Sequence, residues 1–201
     1  CGGVFTAFES IKDGSRSGVS DTPRGYITQK QLIAHDAIGG FSTVTFRREV
    51  FQKVGYLDED MPAVQDLEFF MRVIKYYNIF GIDNVLVSYY REGNRISDNT
   101  ERRINGQDIF LKKHGEDLTS AGRSRFLASR GAMYIDEGNI SKARKNFYLS
   151  LREDPSNYIS YYYLLSSCLG VKSVKTAIIV KDRVSLYLRR MKDWYRNSLA
   201  K

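Results

Sequence analysis

The sequence predicts an α/β domain followed by an all-helical region, and three observations carry that division. β-branched and aromatic residues alternate or cluster in short runs at 3–9, 41–46 and 79–90, as in strands that rest one face on a core. Between those runs apolar residues recur at three- and four-residue steps (Leu67, Phe70, Met71, Ile74), the spacing of a helical stripe. From about Asn99 only the helical spacing persists. The reading therefore divides the chain into an α/β segment at 1–115, a helical segment at 116–170 and a basic amphipathic helix at 171–201.

Each element has its own warrant. Residues 3–9 read as a strand. Residues 10–25 hold Asp13-Gly14, several serines and Pro23-Arg24-Gly25, which is turn and loop chemistry. Tyr26 to Asp36 places Ile27, Leu32 and Ile33 at roughly helical spacing. Phe41–Phe46 alternates as a strand, and Arg47–Val54 follows as a short helix stopped by Gly55. Gln65–Tyr77 is a longer amphipathic helix. Ile79–Tyr90 reads as one or two strands broken at Asp83-Asn84.

The net charge of +8 is concentrated at one end. Residues 171–201 hold nine basic residues against Asp182 and Asp193, giving +7 and leaving about +1 for the rest. The high isoelectric point thus describes the last helix. That helix admits three readings: a membrane-surface helix with Trp194 and Tyr195 on its apolar side, an apolar stripe that caps the preceding helices, or a nucleic-acid contact. Nucleic acid is disfavoured, because no nucleic-acid module accompanies the charge.

Several chemistries are excluded. Cys1 and Cys168 are too few for a disulfide framework and suit a reducing compartment. No run of 18 apolar residues exists to span a bilayer as a helix. His35 and His114 are far apart, without Cys or His at ligand spacing, so no zinc site is expected. No Walker, dinucleotide-binding or Gly-x-Ser-x-Gly motif occurs. Cys168, among Tyr163, Leu164, Leu165 and Leu169, is expected to be a packed core residue.

Residues 124–157 carry five markers at fixed spacing: Gly131, Tyr134 three residues on, the Gly138-Asn139 turn, Ala143 with Phe147, and Pro155. This pattern resembles a tetratricopeptide repeat, and a second repeat begins at Tyr158 and fades near Gly170. An ordinary helical hairpin remains the alternative. One repeat and a half falls short of the roughly three needed for a free-standing solenoid. The helices are therefore expected to pack on the α/β domain or on the last helix.

The most informative stretch is 40–91. It holds Arg47-Arg48, Phe51, Val54-Gly55, Leu57-Asp58-Glu59, then Gln65-Asp66, Glu68 and Arg72, and closes on Tyr90-Arg91. These spacings resemble the acceptor-side half of a family 2 glycosyltransferase of the GT-A type. The resemblance implies the C-terminal part of a GT-A nucleotide-diphospho-sugar transferase domain, inverting transfer of a hexosyl group, and Asp66 as the general base. It places Gln65, Asp58 and Glu59 beside the acceptor and Arg47, Arg91 and Arg95 near the diphosphate. From local sequence alone Asp66 is equally an N-cap, and Asp58 an Asx turn. Gly93 stands where many members of the family carry His.

The family holds a divalent metal, Mg or Mn, with an Asp-x-Asp motif, and none lies upstream of Gly39. The resemblance therefore implies that the nucleotide-binding half and its metal lie outside this chain, that no metal is bound here, and that the chain alone is inactive. It also implies a nucleotide-sugar donor, a saccharide or lipid-linked acceptor in surface polysaccharide or glycoconjugate assembly, and a cytoplasmic location, at the cytoplasmic face of the membrane if 172–199 touches lipid. The alternative is a non-catalytic helical-repeat module that binds a protein or an anionic surface.

Overall fold

The structure is a computed structural model that describes residues 1–20, 22–35, 38–90, 99–181 and 184. It is mixed α/β and divides into two compact units, Cys1–Gly122 and Arg123–Lys201.

In the first unit β1 (Gly3–Lys12) is the central strand of a five-stranded sheet. β2 (Ser15–Val19) pairs antiparallel with its C-terminal half, and β4 (Val44–Phe46) with its N-terminal half. β5 (Ile79–Tyr90) runs parallel along the opposite edge, and β3 (Gly25–Tyr26) adds antiparallel to β5. Residues 10–25, expected as turn and loop, instead complete a hairpin. Asp13 and Gly14 both take positive φ, 50° and 69°, and Lys12 pairs with Ser15. An Asp-Gly pair favours such two-residue hairpins because its twist matches that of the flanking strands.

β5 is a single strand. Its pairing jumps from Thr6↔Ile82 to Ala7↔Val85, so Asp83 and Asn84 bulge out where the sequence suggested a break, and the ladder resumes beyond them. The expected strand at Phe41–Phe46 is halved. Phe41–Thr43 forms a 3-10 turn, because Gly39 has φ 82° and both the N–H and the Oγ1 of Thr43 donate to the carbonyl of Gly40, at 3.1 and 2.8 Å.

Three helices set the site. α1 is Gln29–His35, α2 is Arg48–Val54 and α3 is Gln65–Ile74, which stops three residues short of the expected end. Phe69, Phe70, Met71 and Val73 are buried, whereas Leu67 and Ile74 are half-buried, so the stripe is rotated from the expected one. Phe69 packs tilted on Phe51 at 5.2 Å and edge-on to Phe46 at 5.4 Å, and Phe70 meets Phe41 at 5.3 Å. This aromatic cluster locks α3 to α2 and β4. α4 (Thr100–His114) follows, capped by Asn99, whose Oδ1 accepts from Arg102 N at 2.9 Å, and a 3-10 turn spans Gly115–Asp117. Gly106 of α4 lies so close to the backbone of Ala63 that a Cβ there would sit 2.4 Å from its carbonyl oxygen.

In the second unit α5 (Ser120–Asp136), α6 (Ile140–Glu153), α7 (Tyr158–Cys168) and α8 (171–181) surround one core of Ile135, Ala143, Phe147, Tyr163, Val174 and Ala177. Asn139 and Asn157 cap α6 and α7. Cys168 is exposed, contrary to expectation. The buried side of α7 is Ser160, Tyr163 and Ser167, while Leu165 and Leu169 face outward. Ser160 joins a buried knot with Ser150 (2.7 Å) and, through it, Ser124 (2.8 Å), so small polar residues share the packed face with Tyr163. Most of the expected 172–199 helix lies outside the described residues. Among those described, no helix is long and apolar enough to cross a membrane.

Candidate functional site

The site is built around the start of α3. Residues 55–64 link α2 to α3 and end on Val64, which takes the left-handed conformation (φ 66°, ψ 14°) as the N-cap. That region is disfavoured for a β-branched side chain and costs about 1–2 kcal/mol. Val64 has no side-chain cap to offer, and its carbonyl accepts from Glu68 N at 3.0 Å.

Asp66 lies one step inside the helix and is not its N-cap. One carboxylate oxygen, Oδ1, accepts the N–H of Leu67 at 2.8 Å. The other, Oδ2, faces Gly40, where a built Cβ would be 3.6 Å away. Burial pushes the Asp66 carboxyl above the ordinary carboxylate range, and the N–H groups of Leu67 and of Asp66 itself oppose this. The N–H groups at this helix terminus favour the ionised carboxylate, but desolvation is the larger cause and the shift is upward. Among the described residues no cation pairs with Asp66. Backbone N–H groups are thus the donors that this carboxylate meets among the described residues, and no side chain there pairs with it, which leaves it able to take a proton.

Gln65 is half-buried, and its side chain finds no hydrogen-bond partner among the described residues. Asp58 is committed to the protein: its Oδ2 accepts from Lys113 Nζ, and its Oδ1 accepts Asp60 N at 3.1 Å as an Asx turn. Lys113 is the first cause holding its carboxyl below the usual range. Glu59 is exposed, and so is Arg47, which serves as the N-cap residue of α2 while its N–H donates to Gly2 O at 2.9 Å. No hydrogen bond or ion pair joins Asp66 to Asp58, Glu59 or Arg47 among the described residues. Arg91 and Arg95 lie outside them. The same residues contain no cluster of three metal-ligating side chains.

Behind α3 lies a charged network; the sequence offers Glu68 as a structural partner for a nearby Arg, which Arg72 is, and gives no sign of the rest. Glu68, 3% exposed, receives Arg72 Nε at 3.0 Å on each oxygen and Arg72 Nη2 at 2.9 Å. Arg72 also donates to the carbonyls of Val54 and, at 2.8 Å, Tyr56. On the other side His114 Nε2 stands 3.2 Å from Glu68 Oε1. His114 Nδ1 is 3.5 Å from Asp117 Oδ2, at the limit of hydrogen-bond reach, and has no closer partner among the described residues. Lys75 closes the chain on Asp117 at 2.7 Å and is the first cause of the lowered Asp117 carboxyl. The four-residue step from Glu68 to Arg72 was the one signal available in the sequence. His114, from 46 residues further on, had none.

No family model, curated protein or solved structure matches the chain.

Proposed function

We propose that residues 1–115 are the acceptor side of an inverting GT-A-type glycosyltransferase. In this reading Asp66 Oδ2 takes the proton of a saccharide or lipid-linked hydroxyl as it attacks the anomeric carbon of a nucleotide-linked sugar. The observation that supports it is the Asp66 carboxyl itself: desolvated, unpaired with any described cation, met by backbone N–H groups, and carried in by a strained residue. Strain and a shifted carboxyl in one place are features of working sites more than of packing. Donor binding and a divalent Mg or Mn ion are, in the same proposal, supplied from outside residues 1–115. The proposal assigns Arg47, Arg91 and Arg95 to the diphosphate, and Gln65 and Glu59 to the acceptor. Residues 116–170 are proposed as tetratricopeptide-like. Residues 172–199 would bring the enzyme to the cytoplasmic face of a membrane.

The test is transfer from a panel of nucleotide-diphospho sugars by the polypeptide as its gene encodes it, with Asp66→Asn beside it. Loss of transfer by about 10²–10⁴-fold in a folded variant is expected for a missing base. Unchanged transfer in that variant removes Asp66 from the mechanism.

A second reading, a non-catalytic interaction module, has its own support. Tyr158, Tyr161, Tyr162 and Leu165 on α7 and Leu169 just after it are all exposed, and aromatic surfaces of that kind anchor protein partners. It becomes the better reading if no donor is turned over.

A further inference from the structure

We infer that Arg72 is a positioning residue that holds the 55–64 loop beside Asp66, with Glu68 and His114 aiming it; this rests on the transferase reading given above. Three observations carry the inference. First, Arg72 does more than pair with its helical neighbour. Its guanidinium is shared between Glu68 and the carbonyls of Val54 and Tyr56, which bracket Gly55. Gly55 has φ 80° and is where the loop leaves α2. Without the guanidinium, the first loop residues lose the donors that fix their path.

Second, Glu68 is an unlikely choice for a buried position, since a carboxylate 3% exposed needs compensating partners. It has them on both sides, Arg72 from its own helix and His114 from the end of α4. The oxygens are thereby held in the one orientation that points the planar fork at the two carbonyls. Third, Lys113, the neighbour of His114, holds Asp58 within the same loop. The last turn of α4 thus grips the loop directly through Lys113 and indirectly through His114, Glu68 and Arg72. The loop re-enters the fold at Val64, two residues before Asp66.

Arg72 therefore acts on the acceptor through the backbone of the loop and touches no reacting atom. Two variants of the whole gene-encoded protein test this, Arg72→Lys and Arg72→Gln, read by amide hydrogen exchange and by transfer kinetics. Lysine keeps the charge but cannot serve Glu68 and two carbonyls at once. The expected result is exchange about tenfold faster at the amides of 55–64 in both variants, with the α3 amides of Phe69–Val73 unchanged. The Michaelis constant for the acceptor should rise by about tenfold while the maximal rate stays within about threefold, and lysine should not rescue it. Unchanged exchange in the loop overturns the inference. So does acceleration spread equally over α3, which would make Arg72 a general stabiliser, and so does full rescue by lysine. If the wild-type protein transfers no sugar, the transferase reading fails on that result, and the exchange pattern still decides whether Arg72 holds the loop.

Discussion

The α-carbon of Gly131 on α5 packs directly against the ring of Phe147 on α6: a Cβ built at Gly131 would stand 2.4 Å from Cε1 and 2.6 Å from Cδ1. Phe147 is fully buried among Ile135, Ala143, Tyr163 and Val174, so it has nowhere to retreat. Gly131→Ala should therefore destabilise the second unit by about 1–3 kcal/mol, despite the better helix propensity of alanine. Calorimetry should show this as a lowered helical transition. An unchanged melt would mean that α5 and α6 separate without cost.

How much of this was legible in the sequence depended on whether the deciding contact was local. Gly131, Ala143 and Phe147 follow a fixed helical spacing, and all three sit on the packed side of their helices. Asp13-Gly14 was readable as a turn, but its two positive φ values make a hairpin only because Ser10 finds Gly18 across the ladder. The rotated stripe of α3 was not legible, since Phe51 and Phe46 decide which face is covered and they lie 14 or more positions earlier. The environment of Asp66 depends on Gly40, and that of Glu68 on His114. Both are encounters of distant segments that no short window displays.

Val64→Gly should leave the protein as stable or raise its stability by up to about 1 kcal/mol, where a β-branched to glycine change ordinarily destabilises. Relief of the left-handed strain at φ 66° offsets the backbone entropy that glycine adds. Urea unfolding measures the outcome. A loss above about 1 kcal/mol would mean that the side-chain packing of Val64 outweighs its backbone strain. If stability is kept while sugar transfer falls, the strain serves the site.

Lys113→Met should weaken the 55–64 loop near neutral pH and make no difference in acid. Lys113 holds the Asp58 carboxyl below its ordinary 3.8. A carboxyl lowered on folding stabilises the native state above its unfolded value, and that contribution disappears as pH falls through the folded one. Lys113 is 42% exposed, so solvent screening limits the pair to about 0.2–1 kcal/mol. Urea midpoints of wild type and variant should differ at pH 7 and draw together as the pH falls below 3.8. A difference that persists in acid would assign the effect to the alkyl chain of Lys113 and not to its charge.

Asp66→Asn should stabilise the protein at neutral pH, and the gain should vanish in acid. Burial raises the Asp66 carboxyl above 3.8 in the folded chain. A raised carboxyl gives its most favourable contribution below the unfolded value. That contribution is lost as pH climbs through the folded value, and above it the ionised group remains a constant burden. Asparagine keeps an oxygen to accept Leu67 N–H and sheds the charge, so it escapes the burden. The comparison is between variant and wild type at each pH, because other carboxylates weaken both proteins in acid. A higher melting temperature for the variant at pH 7, shrinking to none near pH 3, would mark Asp66 as a group held against its own stability, as expected of a base kept for chemistry. Lower stability at pH 7 would mean that the ionised carboxylate is well satisfied where it lies, and the principal support for Asp66 as the proton acceptor would be gone.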